Sequence, residues 1–133
     1  ISVKKENGKR FFKIQAEKEN FQAAAVILAA GSKAAPKSGS DGSGYALARK
    51  LGHTIRPVLP ALVQLRCREK SYKQLAGIRT QAKITLYLDG ETADTDTGEL
   101  LFTEYGISGI PVFQVSRFAS LGLARKCAVY AVL

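Results

Sequence analysis

The sequence predicts an α+β fold in two parts. A strand–loop–helix portion of βα character spans 1–57, and an antiparallel sheet or partly open β-barrel with a short helix spans 58–133. Three observations carry this. An apolar run at 26–28 ends in a Gly/Ser/Ala/Pro-rich loop that leads into a helical pattern, the order expected of a βα layer. Pro57 and Pro60 mark a change of pattern. Beyond them the apolar residues alternate with period two, as in half-buried antiparallel strands.

"ISVKK" and "FFKIQAE" flank Asn7-Gly8, the pair that best tolerates the positive φ needed at both centres of a type I′ turn. Strands are therefore expected at about 1–5 and 10–17. "NFQAAAVILAA" predicts a strand through Val26, Ile27 and Leu28. It does not alternate, so burial on both faces is expected, as in a parallel sheet. "DGSGYALARKLG" predicts a helix over about 42–51, with Asp41 or Ser43 as N-cap. Tyr45, Leu47, Ala48 and Leu51 form its apolar face, and Gly52 is its stop. "HTIRPV" opens a short strand.

In the second part, "PALVQLRC" is a strand candidate. "KITLYLDG" alternates Ile84, Leu86 and Leu88 with Lys83, Thr85 and Tyr87, and ends at a turn, Asp89-Gly90. "GELLFTEYG" is a further strand. "IPVFQVSRFASLG" is a short helix with Pro111 in its first turn, where proline costs nothing. "ARKCAVYAVL" closes the chain as a strand. No internal repeat is visible.

Composition bounds the function. With 133 residues and a hydrophobic fraction of 46%, the chain has material for a packed core and not the profile of a disordered tail. No apolar run approaches the ~18 residues of a membrane span, and the first ten residues lack the apolar centre of a signal peptide. A cytoplasmic location is expected, without a membrane partner. The chain opens on Ile1 and contains no Met, and its last residues are an apolar strand; an interior piece of a longer protein is expected. Exposed sheet edges then offer a route to self-association. Two cysteines, Cys67 and Cys127, are too few for a disulfide framework and are read as buried or half-buried thiols.

The net charge of +9 raises the question of a polyanion partner. "KKENGKR" and "RCREKSYK" mix acids among the bases, and no block of five basic residues occurs, so each cluster reads as a solvated surface and nucleic acid is not the expected partner. A basic β-barrel binding module for nucleic acid is the alternative. It would need Phe11, Phe12, Tyr72 and Tyr87 on one positive face, which their spacing does not provide.

Few motifs carry chemistry directly. A strand that runs into a glycine-rich turn and then a helix presents backbone N–H groups to phosphate. Here Gly31, Gly39, Gly42 and Gly44 permit close approach. No GxGxxG follows a strand and no GxxxxGK[ST] occurs, so by spacing alone the loop is a plain connection. His53, the single histidine, follows a helix-ending Leu-Gly and reads as structural. Asp94, Asp96, Glu99 and Glu104 lack EF-hand spacing and read as a solvated hairpin tip; no metal site is expected. Ser38, Ser40, Ser43 and Ser108 include no GxSxG elbow, and "GISGI" reads as a turn before the helix.

The spaced motifs "AAAVILAAGSKAAPKSGSDGSGYALARKLGHTIRPVLPALVQL" and "GELLFTEYGISGIPVFQVSR" resemble the flavoproteins known as NAD(FAD)-utilizing dehydrogenases or aminoacetone-oxidase-like FAD-binding proteins. The resemblance runs from about residue 6 to 120. It implies an FAD domain of the glutathione-reductase type, of which 1–57 is a remnant, interrupted by an inserted antiparallel barrel that begins at 58. It also implies FAD as cofactor, with NAD(P)H as electron donor, and Ala29, Ala30 and Gly31 as FAD-contacting residues, with Gly42, Gly44 and Tyr45 at the helix entrance. Catalytic residues are not assigned by it. Ser32 stands where the family has a second Gly, and Ile110 adds a residue before Pro111. The amino-terminal dinucleotide fingerprint with its ribose-binding acid and the carboxy-terminal flavin segment lie outside the sequence. Both are the expected partners of this chain. A few backbone hydrogen bonds of ~1 kcal/mol each fall short of an association cost of roughly 4–15 kcal/mol, so the isolated chain is expected to be inactive and not to retain FAD.

Overall fold

A computed structural model describes residues 1–69 and 71–133. Lys70, within the basic "RCREKSYK" cluster, lies outside the described residues. The chain divides into two compact units, Ile1–Val58 and Leu59–Leu133.

In the first unit β1 (Ser2–Glu6), β2 (Lys9–Gln15) and β3 (Asn20–Ala23) form an antiparallel meander. The β1–β2 turn is the expected one: Asn7 and Gly8 have φ of 49° and 78°, the left-handed pair of a type I′ turn. Helix α1 (Ser43–Lys50) begins after Gly42, whose φ of 85° makes it the residue before the first turn. Asp41 contributes from one residue further out, its Oδ1 accepting the Ser43 N–H at 2.8 Å. At the other end Gly52 has φ of 93°. Its N–H donates to Arg49 O at 3.0 Å, and the His53 N–H donates to Ala48 O at 3.1 Å. This is a Schellman closure, so His53 serves the helix through its backbone while its side chain is exposed.

Two expectations fail in this unit. The strand is Asn20–Ala23, and 26–28 belong to no strand. Val26 and Leu28 turn toward one cleft, while Ile27 is 93% exposed. Such a strand needs partners along its edges and a layer packed over each face, and none of the described residues of this unit pairs with it. "HTIRPV" likewise forms no strand.

In the second unit β4 (Leu65–Arg66), β5 (Arg79–Leu88), β6 (Glu91–Thr103), β7 (Gly106–Gly109) and β8 (Val129–Val132) form one antiparallel sheet in the order β4-β7-β6-β5-β8, covered by α2 (Ile110–Ala124). Pro111 opens α2 as expected. The helix buries Val112, Val115, Ser116, Ala119 and Gly122 along one stripe, against Ile84, Leu86, Leu100 and Ile107. Each aliphatic side chain fully withdrawn from water contributes about 1.5–3 kcal/mol.

Three sequence expectations change here. "PALVQLRC" yields only the two-residue β4; the Val63 N–H is held by the buried Ser116 hydroxyl at 3.1 Å rather than by a ladder. "GISG" is strand β7, not a turn. A Cβ on Gly106 would collide with the backbone of Leu65 and Cys67, and one on Gly109 with that of Glu99 and Leu100; glycine lets neighbouring backbones close in. The acidic residues are not a hairpin tip. The β5–β6 turn is Asp89-Gly90, with φ of 51° and 91°, while Asp94, Asp96 and Glu99 lie along β6 and only Glu104 sits in a turn.

Candidate functional site

The loop from Ala29 to Tyr45 is held by its own polar groups. Ser40 Oγ donates to Ser32 O at 2.9 Å, and the Ala34 N–H donates to Ser32 Oγ at 3.2 Å. Ala35 and Ser40 exchange backbone bonds, with the Ala35 N–H reaching Ser40 O at 3.3 Å and the Ser40 N–H reaching Ala35 O at 3.2 Å. Between them Pro36–Ser38 forms one 3-10 turn, closed by Gly39 with φ of 90°. The eight-residue excursion thus folds back, and residue 31 meets residue 40.

Glycine is required at two places. Gly31 has φ of 71°, and a Cβ there would lie 2.8 Å from Ser40 Oγ; a Cβ on Gly44 would lie 2.9 Å from that of Ala30. Real carbon contacts sit near 3.5–4.0 Å. The structure therefore brings Ala30, Gly31 and Gly44 together, with Gly44 buried. Gly42 and Tyr45 lie beside one another at the helix entrance, with the Lys33 side chain against Gly42. Ala29 is exposed on the approach to this junction. Ser40, considered in the sequence only as a nucleophile, and Lys33, which the sequence did not single out, are the side chains that close the loop. Only the density of serines hinted at the first.

The electrostatics at the helix entrance follow from the same geometry. The Ser43 N–H bonded to Asp41 holds that carboxyl below the usual carboxylate range. A carboxylate there satisfies a first-turn amide and places a negative charge at the positive end of α1. Beside the loop a cleft of about 540 Å³ is walled by Val3, Phe12, Val26, Leu28 and Leu51, with His53 among its lining.

The second unit contains a separate cavity of about 390 Å³, lined by Leu65, Leu86, Ile107, Leu123 and Val129 with Arg66 and Tyr72. Cys67 and Tyr72 meet in it, and burial pushes both the thiol and the phenol up. Cys127 is raised by its hydrogen bond to the Asp89 carboxylate. Both cysteines are free and half-buried, as expected. A raised thiol pKa lowers the thiolate fraction, the form that acts as nucleophile. Among the described residues no group of His, Cys, Asp and Glu is arranged to hold a metal, and no helix is long and apolar enough to cross a membrane.

A unit with a glycine-closed loop leading into a helix, and a unit in which an antiparallel sheet carries one long helix, define an α+β protein of barrel-bearing type. Residues 59–131 match the family described as HI0933-like protein barrel and H2TH domain, and the chain belongs to that family, the NAD(FAD)-utilizing dehydrogenase group to which its motifs point. A 3-dehydro-bile acid delta(4,6)-reductase of Clostridium scindens is 54% identical over 112 residues, 84% of this chain and 27% of that protein. A ribosomal RNA dihydrouridine synthase of Haemophilus influenzae is 33% identical over 109 residues, 80% of this chain and 26% of that protein. The chain thus spans about a quarter of the length of these relatives. Each match is longer than either unit, so the likeness reaches beyond the barrel family's span into residues 1–58.

Proposed function

We propose that this chain is part of an FAD-dependent reductase. Residues 1–57 belong to its dinucleotide-binding domain, and residues from 58 begin an inserted barrel that covers the flavin and shapes the substrate pocket. The observation that carries the reading is the 54% identity to a reductase over a stretch that takes in both units. The loop fits the cofactor in kind. Ala29, Ala30 and Gly31 are small residues, Ala29 and Gly31 exposed, so a dinucleotide can approach their backbone closely; the Ser43 N–H at the α1 entrance is already taken by Asp41 and is not one of the contacts. Gly42, Gly44 and Tyr45 stand at that entrance as secondary contacts.

The two relatives' names share one chemistry. A delta(4,6)-reductase and a dihydrouridine synthase each saturate a carbon–carbon double bond conjugated with a carbonyl. The proposed reaction is the same: a hydride adds to one alkene carbon and a proton to its neighbour, and the π bond is lost. The flavin, reduced by NAD(P)H, supplies the hydride; the polypeptide supplies binding, orientation and exclusion of water. No residue of this chain is proposed as the proton donor. The chain alone is inactive and releases FAD, because the segments that hold most of the dinucleotide lie outside it.

The test uses the longer protein loaded with FAD and supplied with NADH or NADPH. It is offered a steroid 4,6-dien-3-one and, separately, a uridine-containing ribosomal RNA fragment. Saturation of either double bond, read by loss of dienone absorbance or by mass, is the expected result. Flavin-loaded protein that oxidises NAD(P)H yet reduces neither would overturn the proposal.

A further inference from the structure

In the second unit β6 leaves most of one edge bare. It runs thirteen residues from Glu91 to Thr103, and β7 pairs with only the last stretch, Leu100–Thr103. β7 does not follow β6 further, because the chain turns into α2 at Ile110. Pro111, which has no N–H to donate, stands against Gly98. Among the described residues no other strand lies on that side of β6. A long unpaired edge is a template for another strand.

The ladder decides which groups face this edge. The Phe102 N–H donates to Ile78 O at 2.9 Å, so the even-numbered residues of β6 bond toward β5, back to the bulge opposite Leu86 and Tyr87. The odd-numbered residues face the other way; the Glu99 carbonyl accordingly abuts Gly109 of β7. Thr95 and Thr97 therefore aim their N–H groups at the bare edge, and both are already taken. The Thr95 N–H donates to Asp94 Oδ1 at 3.0 Å and the Thr97 N–H to Asp96 Oδ1 at 2.8 Å. The two acids stand across the ladder from Leu86 and Ile84, which are buried under α2. They thus belong to the helix-covered face and are half-buried, at positions where an amphipathic strand would carry apolar side chains. Charged residues pointing inward from an edge are one way natural sheets avoid edge-to-edge pairing.

We propose that Asp94 and Asp96 are edge guards: their carboxylates occupy the two amides through which a second copy of this chain would otherwise pair β6 to β6. A second copy is the partner held off because two identical strands meeting antiparallel about a two-fold axis are self-complementary. Thr95 and Thr97 are β-branched and suit such a ladder, so nothing else in this stretch opposes it. The device is one of hydrogen bonding: an acceptor supplied from within the chain takes the place of the neighbour's carbonyl. It rests on the second unit alone and is independent of the flavin.

The experiment is sedimentation velocity with amide hydrogen exchange on this chain across a concentration series. In the parent, Thr95 and Thr97 should exchange at rates that do not depend on concentration. In Asp94→Ala/Asp96→Ala both amides should exchange about fivefold faster when dilute, each having lost a hydrogen bond, and slow again as concentration rises and a dimer sediments. Asp94→Asn/Asp96→Asn keeps an acceptor oxygen at each site and should behave as the parent. Thr97→Pro added to the alanine pair removes an outward N–H, a change that an edge strand tolerates, and should abolish the dimer. Asp96→Ala alone should uncover Thr97 and leave Thr95 as in the parent, which keeps the proposal testable should the double variant misfold. The proposal is overturned if the folded alanine pair shows no concentration dependence, if it associates with Thr95 and Thr97 unprotected, or if Asp96→Ala leaves Thr97 exchange unchanged. It is equally overturned if the asparagine pair associates as the alanine pair does, which would make charge alone the barrier, or if Thr97→Pro leaves the dimer intact.

Discussion

Ser116 is the point where the second unit's irregular entry is tied to its helix, and Ser116→Ala tests that tie. The side chain is 0% exposed. Its hydroxyl accepts the Val63 N–H at 3.1 Å and donates to Phe113 O at 2.7 Å. Alanine fits the space and favours the helix by a few tenths of a kcal/mol, so the cost is that of leaving the Val63 amide without a partner. An orphaned buried donor costs about 1–3 kcal/mol. Val63 is half-buried, so water offsets part of this, and a net loss of about 1–2 kcal/mol is expected. The assay is urea unfolding followed by circular dichroism, with amide hydrogen exchange read at Val63. Protection at that amide should fall while the β5–β6 amides exchange as before. Ser120→Ala, one turn further on, is the control and should be neutral or slightly stabilising. A change in unfolding free energy below ~0.5 kcal/mol with Val63 still protected would refute the reasoning.

Other outcomes follow from the same geometry. Leu100→Ala, at a fully buried position facing α2, should cost about 2–5 kcal/mol in the same unfolding assay. Asp89 accepts the Ala128 N–H at 2.7 Å, and that bond holds its carboxyl below the usual range. Its contribution to stability is present above the unfolded carboxylate pKa and is lost as pH falls through the lower, folded value; Asp89→Ala should remove this acid-side loss from the pH profile. Asp89→Asn should lower the Cys127 pKa, because the carboxylate that raises it is gone, and so speed alkylation of Cys127 at pH 8. Cys67, raised by burial, should alkylate at its original rate. Gly44→Ala should destabilise the first unit, since its Cβ would press on that of Ala30 at 2.9 Å; overpacking of this kind costs roughly 1–3 kcal/mol, offset by about 1 kcal/mol of helix propensity.

Local signals were legible where one residue type has few alternatives. Asn7-Gly8 and Asp89-Gly90 each adopted the paired positive φ that such dipeptides favour, and Pro111 opened α2. The alternation around Ile84 and Leu86 placed β5 and its core face. What failed depended on partners distant in sequence. Val26, Ile27 and Leu28 have the composition of a buried strand, but strand formation requires a neighbour with free hydrogen-bonding groups, and composition does not say whether one is present. "GISG" reads as a turn because glycines usually mark turns. Here Gly106 and Gly109 let β7 pack against the backbones around Leu65 and Glu99, a constraint visible only once those residues are adjacent. The acidic run reads as a tip for a similar reason: β6 extends thirteen residues, and polar alternation alone does not separate a long exposed strand from a loop. In the candidate site, Gly31 and Gly44 were named from motifs, whereas Ser40 became relevant only when the loop folded back.

The account stands or falls on whether the Ala29–Tyr45 loop touches a flavin dinucleotide that other segments hold. The direct measurement is flavin content, by absorbance after gel filtration, of the longer protein, of the same protein carrying Gly31→Val, and of the 133-residue chain incubated with FAD. The account predicts a full flavin complement in the first, a marked loss in the second, and none in the third. A longer protein that purifies without flavin and takes up none from added FAD, or a Gly31→Val variant that folds and keeps its full complement, would contradict it.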